Sequence, residues 1–305
     1  MLARLQQFTT LSLFAAAFGW LCSWWTRSPA VAVAGFTVAL LGYSLVLAAE
    51  FWMLRYANQR DPVGSPRWSE LGRAWWSETR IVPQVFFWRQ PFRSRVVADY
   101  LPANGRRGVV FIHGFVCNRG LWTPWLEILR AREHAFVAVS LEPVFGAIDE
   151  YAPLIEAAVA RVSVATGMAP VLVCHSMGGL AARAWLRING DEARVHQVVT
   201  IGTPHHGTAL AQFSPVLNAA QMRRNSPWLR RLAGDESAPG YEKFTCWYSN
   251  CDNIVFPAST ATLPGARNRC VRGAAHVSLL FNSVVMQTTL GVICAGEDAV
   301  KVRKD

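Results

Sequence analysis

Two apolar stretches free of charge open the chain. Residues 5–26 and 28–49 contain no Asp, Glu, Lys or Arg, and Arg27 alone separates them. At about 1.5 Å rise per residue, a helix over residues 29–49 reaches about 30 Å, the thickness of a bilayer's hydrocarbon layer. This second segment is expected to be the stronger span. Trp20, Trp24 and Trp25 close the first stretch, and Trp52 and Tyr56 follow the second, at the depth where amphipathic rings favour the headgroup layer. The pattern predicts a helical hairpin over 1–56 acting as a membrane anchor with one or two transmembrane helices. A cleavable signal peptide is the rival. It would have only Arg4 as its basic region and no convincing small-x-small cleavage site, and a second apolar run would follow it at once.

The pattern then changes twice. Residues 57–93 are rich in Arg, Trp and Pro and keep no sustained period, which predicts a juxtamembrane connector with room for one short helix. From residue 94, apolar runs of strand length at 109–112, 135–140, 171–174, 195–201, 244–248 and 270–272 alternate with helical spacing at 121–131, 147–165 and 177–188. This βαβα order predicts an α/β domain over 94–305, with a mainly parallel sheet buried by helices on both faces. Beyond residue 56, no stretch reads as long and apolar enough to cross a bilayer.

Composition sharpens the membrane expectation. Hydrophobic residues make up 52% and charged residues 16% of 305 positions, and the formal net charge is +10. Eight arginines lie between Arg55 and Arg95, directly after the most apolar stretch. That position suits acidic lipid headgroups, and no nucleic-acid-binding motif is present. With one arginine before the hairpin, one at its turn and several after it, the positive-inside rule places two-span termini and the catalytic domain on the cytoplasmic side of the inner membrane. A single span with the N-terminus inside would place the domain outside. The seven cysteines show no metal-ligand spacing. They read as buried free thiols, although Cys246, Cys251 and Cys270 are near enough in sequence for one bridge.

Candidate chemistry begins at residues 171–179, Val-Leu-Val-Cys-His-Ser-Met-Gly-Gly, where Ser176 stands between a buried strand and a run of helix formers. A nucleophile elbow has this context, because its sharp turn forces the serine into a strained conformation and demands small neighbours. Gly178 fits, whereas Cys174 departs from G-x-S-x-G. A serine capping a helix is the alternative for Ser176. The run C-H-S-M-G-G-L-A-A-R resembles the elbow of bacterial triacylglycerol lipases and related esterases, within the α/β-hydrolase superfamily. Phe-Ile-His-Gly-Phe at 111–115 resembles their oxyanion-loop segment, and Thr-Pro-His-His-Gly-Thr at 203–208 resembles their T-P-x-x-G-T segment. The likeness runs from about residue 96 to 285.

A serine hydroxyl needs a base, and the base needs an orienting acid. The resemblance implies the order Ser, acid, His, with Asp252 after the strand at 244–248 as the acid and His276 before the last apolar helix as the base. A plain polar turn is the alternative for residues 249–253, and His205 and His206 are the rival bases. His113 and His175 read as supports beside the oxyanion loop and the elbow. The backbone N–H groups of Phe115 and Met177 would form the oxyanion hole. Acyl transfer through an acyl-enzyme requires neither metal nor organic cofactor. Residues 208–235 place Phe213, Leu217, Met222 and Trp228 among basic and polar positions, the pattern both of an amphipathic lid and of helices over an ordinary core. The implied activity is hydrolysis of lipid-like carboxylic esters. A thioesterase or amidase with the same three residues, and a noncatalytic hydrolase-like membrane adaptor, stay open as alternatives.

Overall fold

A computed structural model describes residues 1–189, 192–235 and 241–295; residues 296–305 of the expected domain lie outside them. The chain opens with helices α1 (Leu2–Trp25), α2 (Pro29–Leu41) and α3 (Tyr43–Ala57). Helix α4 (Trp68–Val82) runs on through a π-helical stretch, Pro83–Arg89, into α5 (Gln90–Phe92). The α/β unit follows as β1 (Val109–Ile112), α6 (Thr123–Ala131), β2 (Phe136–Ala138), α7 (Ala152–Thr166), β3 (Val171–His175), α8 (Met177–Asn189) and β4 (Gln197–Ile201). It closes with α9 (Leu217–Gln221), α10 (Pro227–Asp235), β5 (Phe244–Tyr248), β6 (Arg267–Cys270), α11 (His276–Leu280) and α12 (Ser283–Cys294).

The six strands pair in the order β2-β1-β3-β4-β5-β6, and every pairing is parallel. Successive strand residues face opposite sides. In β1, Val110 and Ile112 join one apolar core with α7 and α8, while Val109 and Phe111 join another with α6, α11 and α12. Covering helices on both faces explain why β1 and β3 are apolar at nearly every position. The edge strand β6 differs. Its residues Arg267, Asn268, Arg269 and Cys270 are all exposed, so the strand expected at 270–272 lies earlier and carries no apolar signal. None of the seven cysteines is paired.

The N-terminal expectations need correction. Residues 29–49 do not form one straight span, because α2 and α3 meet at Gly42 in a bend of 50°. Gly42 and Ser44 weaken the helix there, and the bend turns Leu47, Phe51 and Leu54 into a core shared with Leu71, Cys251, Phe256 and Ala275. Thirteen residues of α2 cover only about 20 Å, so α1, with 24 residues, is the unbroken helix of spanning length. Residues 57–93 are likewise not a loose connector. Helix α4 spans 15 residues and packs against α3 and α11, with Glu70 and Glu78 buried beside Leu71 and Ala74 on its inward face. Residues 276–294 also have the length and apolar character of a span, contrary to the sequence expectation. The fold accounts for that character, since Val277, Leu279, Leu280, Val285, Leu290 and Ile293 are buried against the sheet.

Candidate active site

Ser176 follows the last residue of β3 and immediately precedes α8. Its φ is 53°, a left-handed conformation that is costly for a side-chain-bearing residue and is held only when surrounding structure over-determines it. Two backbone-directed bonds do so: Ser176 N–H donates to the Ile201 carbonyl at 2.9 Å, and Thr203 Oγ1 donates to the Ser176 carbonyl at 2.8 Å. Thr203 belongs to the 203–208 segment, so that segment anchors the turn. Cys174 is accommodated because its side chain enters the apolar core with Ile112 and Met177, and burial pushes its thiol above the ordinary cysteine range.

Asp252 stands in the turn after β5. Its Oδ1 accepts the N–H groups of Ile254 and Val255 at 3.0 and 2.8 Å. Both Asp252 oxygens lie 2.9 Å from Nδ1 of His276. A carboxylate already accepting two N–H groups calls for a third donor, so Nδ1 carries the proton and Nε2 keeps the lone pair of a base. Burial opposes a charged His276, but the Asp252 charge and hydrogen bond, with the charges of Glu78 and Glu50, outweigh it and raise its pKa. The imidazole lies beside the elbow, its ring centroid 4.6 Å from that of His175, and His175 Nε2–H donates to the His276 carbonyl at 3.3 Å. No direct hydrogen bond joins the Ser176 hydroxyl to the His276 ring; in ligand-free sites such contacts are often long and tighten with substrate.

The loop after β1 completes the site. A Cβ placed on Gly114 would lie 2.7 Å from Ser176 Cβ and 3.3 Å from Oγ, so this loop runs directly against the hydroxyl. His113 holds it there: Nδ1–H donates to the Gly114 carbonyl at 2.8 Å, and Nε2 accepts from Leu141 N–H at 2.9 Å. Burial lowers the His113 pKa to about 4, which keeps that tautomer neutral. The N–H groups of Phe115 and Met177, expected as oxyanion donors, are not taken up by any backbone carbonyl among the described residues. His205, a rival base, lies instead against Thr200 Oγ1 at 3.0 Å and gives its carbonyl to Arg183. Burial drives its pKa well below the ordinary histidine range. The His206 N–H donates to the Thr260 carbonyl.

A cavity of about 250 Å³ opens beside Ser176, lined by Phe115, Leu210, Phe213, Met222, Ile254 and Val255 among others. Residues 208–235 divide between this cavity and the core. The first half walls this cavity, whereas Trp228, Leu229 and Leu232 are buried in the core against α8. Among the described residues, no three His, Cys, Asp or Glu side chains gather as a metal site.

Three features escaped the sequence reading: Glu50, Glu78 and Gly202. Gly202 follows β4 with φ 59°, and a Cβ there would fall 2.9 Å from Asp252 Oδ2 and 3.1 Å from His276 Nδ1. Its signal was a glycine directly before Thr203-Pro204. Gly202→Ala should therefore part the Asp252–His276 pair. If the pair serves the ester hydrolysis that the sequence resemblance implies, turnover should fall by about 10²-fold or more, a loss read as kcat in a protein whose far-ultraviolet circular dichroism is unchanged.

Residues 109–298 match the sequence profile of the alpha/beta hydrolase family. The lipase BlEst2 of Bacillus licheniformis, in its mature form, is similar in structure with a TM-score of 0.56 and 17% identity, over 63% of this chain and 94% of that one. Lipase B of Aspergillus fumigatus is similar with a TM-score of 0.53 and 20% identity, over 66% of this chain and 56% of that one. At these identities the likeness is one of fold. No curated protein sequence matches the chain.

Proposed function

Because the chain belongs to the alpha/beta hydrolase family, we propose that it is a membrane-anchored serine hydrolase cleaving carboxylic esters with lipid-like acyl groups. One observation carries the reading: an Asp252-bound imidazole packed beside a serine at φ 53°, at the mouth of an apolar cavity. In this mechanism His276 Nε2 takes the Ser176 proton as Oγ attacks the ester carbonyl. The tetrahedral oxyanion is stabilised by the N–H groups of Phe115 and Met177, the second at the positive end of α8. Collapse expels the alcohol, which takes the proton from His276, and leaves an acyl-enzyme. His276 then deprotonates water, whose attack releases the carboxylic acid and restores Ser176. Asp252 holds the imidazole tautomer and stabilises the imidazolium formed in each half.

The acyl group is assigned to the cavity. Its wall is almost wholly apolar, and burial of chain methylenes favours binding by about 0.8 kcal/mol each. Phe213 in its lining is exposed, as is Leu217 at the start of α9, and they offer apolar surface to a lipid layer. The membrane reading rests on the helices: α1 exposes Phe8, Leu11, Phe14 and Phe18, and α2 exposes Val31, Val33 and Val38. At the turn between them Trp20 stacks on Trp24 at 5.4 Å, and Arg27 lies 5.9 Å from the Trp24 ring, a pairing suited to the headgroup layer. The hairpin returns the chain to the catalytic unit, where the Met1 ammonium pairs with Glu142 at 2.7 Å. A hairpin embedded from one face of the membrane keeps both its ends on that face, and the arginine distribution favours the cytoplasmic one.

A panel of chromogenic esters from acetate to palmitate, dispersed in detergent, with thioesters and amides of matched chain length, tests the activity. Turnover is expected to be greatest for esters and to rise from acetate toward medium chains as the cavity fills. Preference for thioester or amide would move the assignment to those classes. Absence of covalent labelling by a serine-directed phosphonate would favour the noncatalytic adaptor.

A further inference from the structure

The first turn of a helix leaves backbone N–H groups without intrahelical partners. Helix α11 begins with His276, and side chains from outside the α/β unit meet these donors. Glu78 of α4 is buried, with 1% exposure. Its Oε1 accepts Val277 N–H at 2.8 Å and its Oε2 accepts Ser278 N–H at 3.0 Å. The His276 N–H donates to Asn253 Oδ1 at 3.2 Å. Asn253 Nδ2 in turn donates to Glu50 Oε2 of α3 at 2.6 Å.

Three consecutive N–H groups are thus held by one carboxylate directly and by a second through an amide. Both carboxylates come from helices that precede the α/β unit. A buried charge costs more than a buried amide unless charge is needed nearby. Here the nearby group is His276, which becomes cationic in each half of the reaction. We propose that Glu78 and Glu50 are positioning residues for His276, so that the N-terminal helices belong to the catalytic unit and are more than a tether. This rests on the reading of His276 as the base. The other titratable groups facing it are Asp252 from the turn after β5 and His175 from the end of β3, with His113 beyond His175. Burial raises Glu78 to about 7 against the pull of its two backbone donors, and the Glu78 charge is one of those that favour a cationic His276.

The test uses the full chain in detergent micelles with a short soluble ester, comparing wild type with Glu50→Gln, Glu78→Gln and Asn253→Ala. Glutamine at 50 still accepts from Asn253 and removes only the charge. Each variant is expected to lose about tenfold in kcat with little change in KM. The wild-type acidic limb of kcat/KM should lie above 6.5, because the base must be neutral and its pKa is raised. In both Glu→Gln variants that limb should move down by roughly 0.5–1 pH unit, a shift that loss of packing alone would not produce. Wild-type kcat and an unmoved limb in Glu50→Gln and Glu78→Gln, at unchanged melting temperature, overturn the proposal. If Glu78→Gln does not fold, Glu50→Gln decides alone. Failure of wild-type Ser176 to take a phosphonate label is a separate result, since it removes the hydrolase reading and this proposal with it.

Discussion

Replacement of Ser176 by alanine is expected to lower ester turnover by about 10⁴–10⁶-fold and to abolish phosphonate labelling. Melting temperature should not fall. The substitution removes one hydroxyl that is bonded to neither His276 nor any other base in the free protein, and it relieves nothing in the Asp252–His276 pair, which is fixed independently by the turn after β5. The loss is large because His276 and Asp252 act only through that hydroxyl, and the remaining oxyanion donors can assist only attack by water. His276→Ala should cost nearly as much and should add little to Ser176→Ala when the two are combined, because groups acting as one unit do not contribute additively. The measurement is kcat on the preferred ester with mass-spectrometric detection of the label. Ester turnover by Ser176→Ala within tenfold of wild type would place the nucleophile elsewhere.

Removing residues 1–56 should not release an active soluble domain. A tether could be cut with no effect on the enzyme, but α3 inserts Leu47, Phe51 and Leu54 into a core with Cys251, Phe256 and Ala275. Burial of three such side chains stabilises by about 5–9 kcal/mol in total, against roughly 5–15 kcal/mol for a whole domain. The deletion also removes Glu50 and the Gln6 network, in which Gln6 donates to the Val116 carbonyl at 3.4 Å and accepts from Asn118 at 3.1 Å beside the oxyanion loop. The expected product aggregates or melts without cooperativity, and its kcat on a soluble ester falls at least 10²-fold. A monomeric 57–305 fragment with cooperative melting and full kcat would overturn this prediction. Substituting Trp20, Trp24 and Trp25 at the far turn tests anchoring separately, since Trp20 bonds the Val31 carbonyl and stacks on Trp24, which faces Arg27, all within the hairpin.

Much of the α/β unit was legible because its signals are local. A buried strand of four or five apolar residues, a Gly-Gly start to α8 and the H-G segment after β1 are each encoded by adjacent positions, and the hydrogen-bonding demands of parallel pairing supply the rest. The positions of β1 and β5 match expectation to the residue, at 109–112 and 244–248. The exposed edge strand β6 was displaced because an edge needs only backbone pairing on one side and so carries no apolar pattern. Helix α4 was hidden for the opposite reason: its inward face holds carboxylates whose partners lie about 200 positions away in the chain.

The sequence alone carries the alternation of strands and helices along the chain, the strand–serine–helix junction at Ser176, an aspartate and a histidine in succession at Asp252 and His276, and two apolar segments at the start. Each of these is a property of a short run of residues. Only the tertiary structure decided that the second apolar segment bends at Gly42, that Glu78 of α4 and, through Asn253, Glu50 of α3 meet the N–H groups at the start of α11, and that part of residues 208–235 walls the cavity. Those outcomes depend on which distant donors and apolar surfaces meet. A buried carboxylate is stable only where a fold brings N–H groups to it, and no period along the chain records that meeting.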